Sequence, residues 1–139
     1  MKTPYDAGLR LRKNELDELR RELGALYAKQ DALEDKLKVI EAEVSAEAGL
    51  GSPEALVGLA DFGAYLGRQR LARQEIEREI AKLNTEAERV RDALAEAFAD
   101  FKTLDIASTR FIENAKKEAA RLEQLEADEA TLMRFTPPE

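Results

Sequence analysis

The chain has 139 residues, with 22 Lys and Arg against 29 Asp and Glu, a formal charge of −7, and no Cys, His or Trp. Without a thiol or an imidazole there is no disulfide, no Cys/His zinc site, no His-assisted Ser or Cys nucleophile and no His-ligated haem. Ala, Leu, Glu, Lys and Arg supply 84 of the 139 residues, the bias of long helices and coiled coils rather than of a compact mixed fold.

Thr3-Pro4 followed by Asp6 reads as a helix start. The hydroxyl caps free backbone N–H groups, Pro is tolerated in the first turn, and Asp favours the positive end of the dipole. A heptad seam then runs through Leu9, Leu16, Leu19, Leu23, Leu26, Leu33, Leu37, Ile40 and Val44, with Arg12, Gln30 and Glu47 as its polar members. Steps of alternately four and three residues predict a coiled-coil helix over 4–48. Asp6/Arg10, Asp17/Arg21 and Glu34/Lys38 are spaced for i,i+4 pairing on its outer face.

The pattern stops at Gly49-Leu50-Gly51-Ser52-Pro53, where the glycines end one helix and Ser-Pro opens the next. This predicts a turn over 49–53 and a second helix over 54–133, with a short tail, 134–139, that holds Pro137 and Pro138. The second seam keeps step from Leu59 to Leu132 through Phe62, Leu66, Gln69, Arg73, Ile76, Ile80, Leu83, Ala87, Val90, Leu94, Ala97, Phe101, Leu104, Ser108, Phe111, Ala115, Glu118, Leu122, Leu125 and Glu129. Of these 22 positions 17 are apolar, which over ten heptads specifies a left-handed supercoil. Gly58, Gly63 and Gly67 loosen the start of this helix at about 1 kcal/mol each relative to Ala. There Phe62 and Leu66 belong to the seam, and Tyr65, off it, is a candidate partner contact.

A short break folds the helices back as an antiparallel hairpin, all-α and a single domain over 1–139. With residue 51 as pivot, Gln30 is expected near Arg73 and Leu9 near Leu94. At about 1.5 Å per residue the first helix is about 68 Å long and the second about 120 Å, so the second overhangs. Cover from the first helix is expected to end near residue 98, or near 106 if 49–58 form a longer loop. Beyond it Phe101, Leu104, Phe111, Ala115, Leu122, Leu125 and Leu132 form one stripe, and each large apolar group is worth about 1.5–3 kcal/mol to bury. The stripe is expected to be covered by another protein or by a second copy of the chain.

No phosphate-binding glycine loop, zinc-helix motif or nucleophile elbow occurs. Glu126, Asp128 and Glu129 are the densest carboxylates, but acid–base work needs a pocket that separates their pKa values. A two-helix rod is expected to lack a cavity of about 300 Å³ or more, so neither enzymatic activity nor a cofactor is expected. Residues 92–139 carry 6 basic and 11 acidic groups, against nucleic-acid binding. At 68–91, 7 basic and 5 acidic groups interleave as a solvated face. The longest uncharged stretches, such as Leu23–Ala28, run six residues, far short of the roughly 20 that cross a bilayer. The N-terminal residues have no apolar secretion core, and a cytoplasmic location is expected.

The break after about 50 residues, the Phe62-x-x-Tyr65-Leu66 start of the second helix, the long Arg/Glu-rich seam, Phe101-Lys102-Thr103-Leu104-Asp105 and the late Glu126-x-Asp128-Glu129 resemble the FliJ family. These are cytoplasmic components of the bacterial flagellar type III export apparatus. The resemblance implies a hairpin similar to the stalk subunit of rotary ATPases. Its helix termini would enter the export ATPase ring, and its surface would meet the cytoplasmic domain of the export gate and the export chaperones. The sequence departs from the family in its acidity, its lack of His and Trp, and a first-helix tip poor in aromatics. The expected role is a non-catalytic coupling or escort factor, with Phe101, Leu104, Phe111, Leu122, Leu125 and Leu132 facing the ring and Phe62, Tyr65 and Leu66 forming a contact at the hairpin tip. The alternatives are a structural or homodimerising coiled coil and a prefoldin-like chaperone.

Overall fold

A computed structural model describes residues 2–49 and 59–135. Two helices account for nearly all of them: α1, Asp6–Gly49, of 44 residues, and α2, Leu59–Arg134, of 76, with no strand among the described residues. The chain is all-α, and its two helices pair antiparallel as a hairpin with the second the longer. Residues 50–53 of the expected turn, the expected helix start at 54–58 with Gly58, and Pro137 and Pro138 lie outside the described residues.

The chain forms two compact units, one of Met1–Leu16 with Glu96–Glu139 and the other of Asp17–Ala95. In both, the buried apolar residues are positions of the seam read from the sequence. In the larger unit Leu26, Ala87 and Val90 are buried, with Leu19, Leu23 and Leu83 packed against them. In the other, Leu16, Ala97 and Ser108 are the buried seam positions. Small residues at the seam let the helices approach closely, which is why Ala87, Val90 and Ala97 are more completely enclosed than any leucine.

The register differs from the one expected. Gln30 Nε2 donates to Asn84 Oδ1, not to a group near Arg73, and Arg73 instead pairs with Glu41 at 3.0 Å. In the smaller unit Leu104, rather than a residue near 94, lies against the first turns of α1: a Cβ added at Gly8 would stand 3.2 Å from Leu104 Cδ1. The offset is about three turns at roughly 3.6 residues per turn, and it carries the covered part of α2 about as far as the longer-loop alternative allowed.

The outer ion pairs also choose different partners. Asp17 lies 3.8 Å from Arg20, while Arg21 Nε donates to the Asp17 carbonyl at 3.3 Å. Glu34 and Lys38 form no ion pair among the described residues.

Candidate partner-binding surface

The site is built from the start of α1 outward. Thr3 Oγ1 donates to Asp6 Oδ1 at 2.7 Å, and the Thr3 N–H donates to Asp6 Oδ2 at 3.0 Å. Thr3 Oγ1 in turn accepts from the Tyr5 N–H at 3.3 Å, the reciprocal arrangement of a capping box. With its one proton given to Asp6, Thr3 Oγ1 accepts the hydroxyl of Ser108 across the helix pair at 3.2 Å. Every bonding site of this buried hydroxyl is thereby filled. The Thr3 hydroxyl, and after it the Thr3 N–H, hold the Asp6 carboxyl below its ordinary value. Arg12 is raised chiefly by its bond to Glu15, then by Asp100, 3.8 Å away on α2.

Ser108 is the last buried residue of α2. Ile112 and Ala115 are half-buried, and every described residue from Lys116 to Phe135 is exposed. At about 1.5 Å per residue, the fully exposed stretch from Lys116 to Arg134 is about 27 Å of helix. On its stripe Phe111 is 40% exposed, Leu122 and Leu125 48% and Leu132 72%. Phe101 and Leu104, expected to project, are half-buried against α1, because the offset register extends the paired region past them.

Carboxylates surround the stripe. Glu118 sits on it and bonds Arg121 at 2.6 Å, which lowers its pKa. Gln124 Nε2 donates to Asp128 at 3.1 Å. Among the described residues no group of three acidic, His or Cys side chains is placed to hold a metal. Glu126, Asp128 and Glu129 are all exposed on α2.

In the larger unit Phe62 and Tyr65 stack with centroids 6.3 Å apart at 24°. Tyr65 is half-buried like Phe62 and Leu66. Leu66 also lines an open groove of about 420 Å³ with Ile40, Glu41, Val44 and Arg73. A second groove, of about 410 Å³, lies between Ala32, Leu33 and Leu83 under Lys29, Lys36 and Lys82. Spaces above the 300 Å³ mark therefore do occur, contrary to expectation. They are solvent-open furrows left where two cylinders meet, and each has one carboxylate in its lining, Glu41 in the first and Glu79 in the second.

Sequence reading missed the Thr3–Ser108 bond, the Gln30–Asn84 pair, the Gly8–Leu104 approach and the Arg91 guanidinium 5.8 Å over the Tyr27 ring. Each needs the interhelical register, which periodicity leaves open; the serine on the second seam at 108 was the only local hint. None of the described helices is long and apolar enough to cross a membrane.

A family model described as flagellar FliJ protein matches residues 1–138. In comparisons with curated proteins and with solved structures, nothing matches.

Proposed function

The chain belongs to the FliJ family, components of the flagellar export apparatus, and we propose that it acts there as a non-catalytic coupling or escort factor. In this reading the uncovered end of α2 enters the export ATPase ring, and Phe62, Tyr65 and Leu66 offer an aromatic contact to the cytoplasmic domain of the export gate or to export chaperones. The factor sits peripherally at the export apparatus. The observation that carries the proposal is the exposed line Phe111, Leu122, Leu125 and Leu132 on a helix that continues beyond its partner. Apolar side chains arranged at seam spacing are a helix-docking face, and each is worth about 1.5–3 kcal/mol when another surface removes it from water.

A pull-down with the cognate export ATPase tests this. Phe111→Asp combined with Leu122→Asp should weaken retention by about tenfold or more, as expected when central anchors worth about 2 kcal/mol are lost. Unchanged retention of this variant would refute the assignment of that surface.

A further inference from the structure

The stripe and the second groove have complementary chemistry. Between Glu118 and Met133 the chain has five carboxylates and one cation, Arg121. Two of these carboxylates, Glu118 and Glu129, stand on the apolar line itself, among Leu122, Leu125 and Leu132. Two of the ways in which the stripe can pair with its own copy set acid against acid. An antiparallel register that stacks Leu122 on Leu125 places Glu118 opposite Glu129, and a parallel one opposes each glutamate with itself. Like charges facing each other across a helix pair oppose association. The excess of carboxylates favours a cover that brings cations.

The groove of about 410 Å³ supplies them. Its floor is Ala32, Leu33 and Leu83, its walls carry Lys29 and Lys36 on α1 and Lys82 on α2, and Glu79 is its single carboxylate. None of the three lysines has an ion-pair partner among the described residues, although the chain as a whole is acidic. Along the same flank of α1, Ala25 and the exposed Val39 continue the apolar track above and below Ala32. This track, Ala25 to Val39, runs about 21 Å at roughly 1.5 Å per residue, against about 21 Å for Glu118 to Leu132. Glu126 lies on one shoulder of the stripe and Asp128 on the other, so a helix seated in the groove presents acid to the lysines on both walls.

We propose that the acidic, leucine-bearing end of α2 docks in the Lys29/Lys36/Lys82 groove of a second copy of the chain. The contact is a third helix laid along a two-helix surface, apolar at its centre and ion-paired at its edges. It uses the surface assigned above to the ATPase ring, but it does not depend on that assignment, and its test contains no ATPase.

The test is sedimentation of the full chain at rising concentration, in roughly 50 mM and roughly 0.5 M salt. In low salt the mass should climb from 15.6 kDa with concentration, past twice that value where copies join stripe to groove in series, and high salt should weaken the association, because exposed ion pairs are screened. Lys29→Glu, Lys36→Glu and Lys82→Glu together should weaken it at least tenfold without loss of helical circular dichroism. Adding Glu126→Lys, Asp128→Lys and Glu129→Lys to that variant should restore it. A chain that stays at 15.6 kDa at every concentration in low salt overturns the proposal. So does association indifferent to the lysine changes, or a charge-swapped variant that fails to recover.

Discussion

At the start of α1, one hydroxyl ties a local signal to a distant one. Thr3 and Asp6 cap the helix as their spacing in sequence suggests, and the same Thr3 oxygen accepts Ser108 from 105 residues away. The cap therefore also marks where pairing ends. Its charge makes it pH-sensitive. The folded Asp6 carboxyl is held below its ordinary value of 3.8, so protonation favours the unfolded state. The stabilisation is complete above pH 3.8 and is lost as pH falls further, through the lowered folded value. Urea titrations of the parent and of Asp6→Ala at a series of pH values should show a gap at neutrality that closes as pH drops below 3.8. A gap independent of pH would mean that Asp6 acts through something other than its charge. Ion pairs such as Arg73–Glu41 and Arg89–Glu22 join exposed groups and add little stability.

Within each helix, seam positions of identical residue type carry very different energies. Leu26 is 8% exposed in the cluster with Ala87 and Val90, and Leu132, on the same kind of heptad position, is 72% exposed. Leu26→Ala should cost about 2–5 kcal/mol, because it removes packed methyl groups and leaves a cavity. Leu132→Ala should change stability by no more than about 0.5 kcal/mol. Thermal unfolding of the two variants checks both, and a large loss at Leu132 would mean that the stripe is already covered in isolation. Heptad counting identified both residues as seam members; whether a partner helix stands opposite is not a property of the heptad.

For the whole molecule, membership of an export-apparatus family gives the uncovered end of α2 a context, and removing that end separates the readings. Deleting residues 116–139 takes away only residues that, among those described, are exposed. The midpoint of unfolding should therefore hold, since surface groups contribute little, while capture of the export ATPase should be lost. A general holding chaperone that grips clients elsewhere would keep its activity after this deletion. Ring capture that survives it would place ATPase binding outside the overhang.

Helix content, the antiparallel pairing of unequal helices, the buried line and the apolar stripe were all legible in the amino-acid sequence. Each follows from a repeat of alternately three and four residues, and a helix of known rise turns residue counts into lengths. Register was not legible. Sliding a seam of repeated leucines by whole turns exchanges leucine for leucine at little cost, so periodicity does not distinguish Gln30 opposite Arg73 from Gln30 opposite Asn84. The tertiary structure made that choice through contacts that fit in only one alignment: Leu104 beside the bare Cα of Gly8, Ser108 on Thr3, and Asn84 on Gln30. That alignment, in turn, settles that Phe101 and Leu104 are half-buried while Phe111 and the leucines after it remain in water.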